Sequence, residues 1–166
     1  MKNNFVIVKD IISKEKALKL AIHLDTRKDK YSIYDDMVPD STAFHNDDEI
    51  TKLQNELRST IEKHVDLKLF NTYNYCRIYQ TGNTLDVHKD RDACEISVTL
   101  DLGGDKWSIF MGGEEVMLDI GDAVIYKGCD IPHWREEFKG DTHTQAFIHY
   151  VDQNGKRSWA KDDNRE

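Results

Sequence analysis

The chain has 166 residues, a third of them charged, with a formal net charge of −8 and a moderate hydrophobic fraction of 39%. That length is enough for one domain with a real core. The acidic balance works against non-specific attraction to a phosphate backbone, and no apolar run reaches bilayer-spanning length. The opening MKNNFVIVKD has neither a long apolar segment nor a small-residue cleavage site, so a cytoplasmic location is expected. Cys76, Cys94 and Cys129 are odd in number, widely spaced and free of CxxC pairs, which fits reduced thiols.

In chain order, Phe5 to Val8 is a short apolar run suited to a strand. Ser13 can cap a helix reaching about Leu24, with Ala17, Leu18, Ala21, Ile22 and Leu24 on one face. Residues 25–47 hold Pro39 and show no sustained period, which predicts a long loop. Behind Asp47 and Asp48, Ile50, Leu53, Leu57, Ile61 and Val65 recur at helical spacing.

Beyond residue 72 the pattern changes to strands. TYNYCRIYQ places Tyr73, Tyr75, Arg77 and Tyr79 on one face, and Thr81-Gly82-Asn83 turns the chain. EISVTLDL alternates, Gly103-Gly104 turns, and KWSIFM leads through Gly112-Gly113 into EEVMLDI, a hairpin pattern. DAVIYKG and HTQAFIHYV follow, and the polar tail from Gln153 reads as frayed. Two helices followed by about eight strands predict an α+β fold, the helices buttressing a sandwich or barrel. A single domain is expected over residues 1–166, with a strand core at about 69–151 and helical support from 1–68.

The chemistry concentrates in LDVHKDRDACEISVTL, residues 85–100. In a strand, positions i and i+2 share a face, so His88 and Asp90 can converge on one ion while Lys89 points away. His133, delivered by GDAVIYKGCDIPHW, is the candidate third ligand, and His149 is its rival. Two histidines and one carboxylate leave coordination positions open, unlike a closed structural zinc site.

RIYQTGNTLDVHKD, then EISVTL, then GDAVIYKGCDIPHW resembles a 2-oxoglutarate- and Fe(II)-dependent dioxygenase of the prolyl 4-hydroxylase-like branch. The opening NNFVIVKDIISKEKA and the two helices resemble that branch as well, so the likeness spans roughly residues 4–151. It implies a double-stranded β-helix of jelly-roll or cupin-like form. It also implies Fe(II) held by His88, Asp90 and His133 as the catalytic and metal-binding set. 2-Oxoglutarate and O2 are the implied cosubstrates and ascorbate an auxiliary reductant, with succinate and CO2 as coproducts. The implied reaction is hydroxylation of a C–H bond, foremost on a prolyl residue in a peptide or protein, with a small molecule as the alternative.

One element of the family pattern is missing. The far carboxylate of 2-oxoglutarate needs a cationic or multi-donor partner, usually an Arg or Lys about ten residues past the distal histidine. His143 stands there instead. Candidates for the cosubstrate site are Tyr79, together with His143, Arg77 or Arg135. Two other readings stay open: a nucleic-acid demethylase of the same superfamily, disfavoured by the acidic balance and the lack of paired arginines after His133, and a non-catalytic, metal-binding cupin-like protein. Residues 25–47 would be a solvated loop or, by resemblance, a lid.

Overall fold

Two antiparallel sheets face one another, and the alternation of side chains along their strands decides what faces the space between them. The structure is a computed structural model that describes residues 1–165. The elements are β1 (Phe5–Val8), α1 (Lys14–Tyr31), β2 (Thr42–His45), α2 (Asp48–Val65), β3 (Leu69–Gln80), β4 (Leu85–His88), β5 (Ile96–Gly104), β6 (Ile109–Met111), β7 (Glu114–Val116), β8 (Ala123–Tyr126), β9 (His133–Arg135) and β10 (Thr142–Asp152). The larger sheet runs β1-β8-β5-β10-β3-β2, the smaller β4-β9-β6-β7.

Both helices cover the outer face of the larger sheet. Leu20 and Leu24 of α1 and Ile50, Leu53, Leu57 and Ile61 of α2 share one buried cluster with Cys76, Val98, Leu100, Ile125, Ala146 and Ile148. Because strand residues alternate, the intervening positions point inward. Tyr75, Arg77 and Tyr79 on β3, Ser97, Thr99 and Asp101 on β5, and Gln145, Phe147 and His149 on β10 form that inner face. A helix-backed sheet with a polar inner face leaves the interior for a site rather than for core packing.

The helix caps are as the sequence predicts. Ser13 Oγ accepts from the Lys16 amide, and Asp47 accepts from the amides of Glu49 and Ile50. Asp47 also meets His23 at 3.0 Å, so one carboxylate ties α1 to the start of α2. Gly112 and Gly113, at φ +59° and +96°, make the β6–β7 hairpin turn, a backbone that side chains with a Cβ rarely adopt.

Three expectations need correction. Helix α1 runs on to Tyr31 instead of ending near Leu24. Its last two turns are solvated and held by pairs such as Arg27 on the Tyr31 ring, so they carry no apolar period. The stretch 25–47 is not all loop, because β2 pairs with β3 and buries Ala43 and Phe44; four residues are too few for a period to register. The tail from Gln153 is not frayed throughout. A 3-10 segment, Ser158–Asp163, buries Ala160 against Ala93 and Val151, while Arg157 pairs with Asp92 and Glu95.

Candidate metal centre

Strands β4 and β9 pair with His88 directly opposite His133. Just past β4, the Asp90 amide donates to the Gly128 carbonyl at 2.8 Å, which fixes the loop that carries the carboxylate. The result brings His88, Asp90 and His133 together, with one potential ligand atom from each lying within 4.8 Å of the others. His88 Nε2 is 3.3 Å and His133 Nε2 3.2 Å from the same oxygen, Asp90 Oδ1.

The other ring nitrogens explain why this cluster suits a cation. His88 Nδ1 lies 2.7 Å from the Asp86 carbonyl and His133 Nδ1 2.9 Å from that of Ile131. A carbonyl only accepts, so both Nδ1 atoms carry hydrogen, and Nε2 is the nitrogen each ring turns toward Asp90. Freed of any proton, the two Nε2 atoms and Asp90 Oδ1 would offer three ligand atoms to one cation. The second Asp90 oxygen receives the Ser97 hydroxyl at 3.3 Å, and Ser97 Oγ is 2.7 Å from His149 Nδ1. Burial raises the Asp90 pKa, but the contacts with His133 and His88 outweigh it, leaving the carboxyl well below the usual range. Asp90 is therefore ionised, as a ligand must be.

A second grouping, Asp90, Cys94 and His149, shares the same carboxylate. It is the poorer site: burial pushes the Cys94 thiol far up, and its sulfur sits 3.2 Å from the Tyr73 hydroxyl. His149 is a buried, hydrogen-bonded histidine behind Ser97, not part of the first cluster.

The first cluster lies on the wall of a cleft of about 360 Å³, which Tyr75, Arg77, Tyr126 and Phe147 also line. The candidate cosubstrate residues divide between this cleft and the space behind it. Arg77 is on the cleft wall, with its guanidinium 2.9 Å from Asp35. Arg135, Tyr79 and His143 are all buried behind Leu85 and Phe147. Arg135 donates to the Trp107 carbonyl at 2.8 Å and to the side-chain oxygen of Gln145, both neutral acceptors. Its Nε, the Tyr79 hydroxyl and Gln145 Nε2 are buried without a hydrogen-bond partner. A buried guanidinium that forms no ion pair among the described residues, beside two unpartnered donors, would suit an anion.

His143 does not carry the charge expected of it. Burial, and then the nearby Arg135, push it down to about 4, so the ring is neutral near pH 7. Sequence reasoning also missed Gln145, Ser97 and Asp101. The signal was present: in EISVTLDL and HTQAFIHYV the polar residues fall on alternate positions of otherwise apolar strands. Asp35 carried no such signal.

No family model matches the sequence, and no curated protein matches it. Solved structures do. A Pseudomonas putida prolyl-4-hydroxylase superposes with a TM-score of 0.75 at 16% identity, over 91% of this chain and 94% of that one. A viral collagen prolyl hydroxylase from Paramecium Bursaria Chlorella virus-1, in its 2OG complex, gives 0.68 at 12% identity, over 89% and 95%. HygX from Streptomyces hygroscopicus, with nickel and 2-oxoglutarate bound, gives 0.72 at 10% identity, over 91% and 84%. At these identities the likeness establishes the fold: a double-stranded β-helix of the kind these oxygenases share, with two helices packed on its larger sheet.

Proposed function

We propose that this chain is an Fe(II)- and 2-oxoglutarate-dependent dioxygenase that hydroxylates a C–H bond. The observation that carries the reading is the convergence of His88 Nε2, His133 Nε2 and Asp90 Oδ1 on one point of the cleft wall. Two imidazoles and a carboxylate on one side of an ion match the donor set of non-haem Fe(II) oxygenases. When bound, iron would activate O2, the oxidant, while 2-oxoglutarate would supply two electrons and take up one oxygen atom, leaving succinate and CO2 as coproducts, with ascorbate as auxiliary reductant.

The protein's own residues hold and orient. His88, Asp90 and His133 hold the ion, the two Nδ1–H bonds fix the rings, and Ser97 fixes the rotation of the Asp90 carboxylate. Arg135, with Tyr79 and Gln145, receives the far carboxylate of the cosubstrate. Arg135 takes this role ahead of Arg77 because Arg77 already has a carboxylate partner and Arg135 has none. His143 shapes the same end of the pocket as a neutral ring.

The target favoured here is a prolyl residue in a peptide or protein, in keeping with the two prolyl hydroxylases among the similar structures. A small-molecule substrate is the second reading, favoured by the likeness to HygX with hygromycin B bound. A direct test is succinate formation from 2-oxoglutarate in air with Fe(II). Formation above buffer level that vanishes in His88→Ala supports the proposal; iron-loaded protein forming none would leave only a non-catalytic metal-binding role.

A further inference from the structure

The segment joining α1 to β2, residues 32–41, places Asp35 and Met37 on the wall of the cleft. It is fastened at its start, where the Ile33 amide donates to the Ala43 carbonyl at 2.7 Å, and at two further points. Val38 is buried with Tyr79, Leu85 and Phe138, and the Asp35 carboxylate meets two inward-facing residues of β3. Asp35 Oδ2 accepts from Arg77 at 2.9 Å and, in a short hydrogen bond, from the Tyr75 hydroxyl. The rest of the segment is open to solvent, with Tyr34 72% and Met37 52% exposed.

The receiving side is built differently from the strap. Arg77 is only 5% exposed, yet its Nε has no hydrogen-bond partner and its contact with Ser41 Oγ is long, at 3.5 Å. A buried guanidinium needs an anion, and a guanidinium edge is shaped to take both oxygens of a carboxylate. Asp35 meets that need through one oxygen only, leaving the Nε donor unused. Burial raises the Asp35 pKa, but Tyr75, Arg77 and the Met37 amide outweigh it, so the carboxyl is ionised. A carboxylate receptor therefore lines the same cleft as His88, and a residue from an exposed strap occupies it.

We propose that Arg77 and Tyr75 form a subsite for the carboxylate of the substrate, which Asp35 fills when no substrate is bound. The ligand class is a carboxylate-bearing organic molecule, such as an amino acid or the C-terminus of a short peptide. Entry of that carboxylate releases the Asp35 end of the strap while Val38 stays seated. The inference rests on the oxygenase reading only in calling the ligand a substrate; the receptor itself needs no metal.

The test uses acetate as the external carboxylate and is run with chelator present, so that failure of the iron reading cannot imitate failure of this one. Asp35→Ala should lower the thermal midpoint by leaving Arg77 without an anion. In that variant, about 100 mM acetate should restore about 3 °C relative to chloride at equal ionic strength. Wild-type protein and the double variant Asp35→Ala/Arg77→Met should show no such difference between the salts. Asp35→Asn, which removes the charge and keeps the shape, gives the same comparison should the alanine variant fail to fold. Equal response to acetate and chloride in the single variants, or an acetate effect that survives loss of Arg77, overturns the proposal.

Discussion

His88 and His133 are cross-strand partners in the β4–β9 pair, their ring centroids 4.3 Å apart. Each is fixed by its own backbone acceptor two residues earlier, at Asp86 and Ile131. The third member of the cluster, Asp90, is fixed by the Ser97 hydroxyl. Ser97→Ala frees the carboxylate to rotate without removing a ligand. Its expected effect is a loss of Fe(II) affinity of about tenfold, in the range typical of partners behind a metal ligand, with the fold intact. Competition against a chelating dye measures it.

Arg135 and Arg77 should separate cleanly in their effects. On the proposed assignment, Arg135→Met would remove the cationic partner of the cosubstrate's far carboxylate and should weaken 2-oxoglutarate binding by about 100-fold, the loss expected of a buried charge-assisted contact. Arg77→Met should leave that affinity within about threefold, because Arg77 serves a different carboxylate. Anaerobic calorimetric titration of the iron-loaded variants gives both numbers.

The pH dependence of cosubstrate binding should come from Asp101, not from His143. Burial pushes Asp101 up to about 7, against the opposing influences of the Gly103 amide and Arg135. As pH rises through 7 its carboxylate forms, offsets the charge on Arg135 and weakens attraction for a second carboxylate. Affinity should therefore fall between pH 6 and 8 in wild type and flatten in Asp101→Asn. His143 is already neutral across that window, so His143→Asn should keep the wild-type slope.

The same group makes a stability prediction with a defined sign. The folded-state pKa of Asp101 is raised above the unfolded value near 3.8, so its favourable contribution is complete below pH 3.8 and is lost as pH rises through about 7. Asp101→Asn has no such loss and keeps an acceptor for the Gly103 amide, which Asp101 now holds at 3.0 Å. The variant should gain stability over wild type progressively from pH 4 to 7, to a few kcal/mol at most, and then level off. Urea unfolding at several pH values measures the trend.

The alternating face Tyr73, Tyr75, Arg77 and Tyr79 was legible because strand period is 2 and needs only local sequence. The cleft wall holds three of those four side chains. Both helices were legible from their apolar stripes and from Ser13 and Asp47, but the solvated end of α1 left no stripe to read. The charge near the cosubstrate end was harder. In sequence Arg135 stands level with Arg77 and His143; its burial against the neutral acceptors of Trp107 and Gln145 singles it out. Sequence alone leaves His143 chargeable, because it does not report desolvation. Asp35 is out of reach of sequence reading, since it lies in a connection and its partner Arg77 is 42 positions away on β3.

We propose that His88, Asp90 and His133 hold Fe(II) with positions left open for 2-oxoglutarate. It is tested most directly by adding Fe(II) and then 2-oxoglutarate without oxygen and recording the visible spectrum. Wild type should show a metal-to-ligand charge-transfer band that is lost in His88→Ala. Iron-loaded wild type that shows no band, or a band that persists undiminished in His88→Ala, would contradict it.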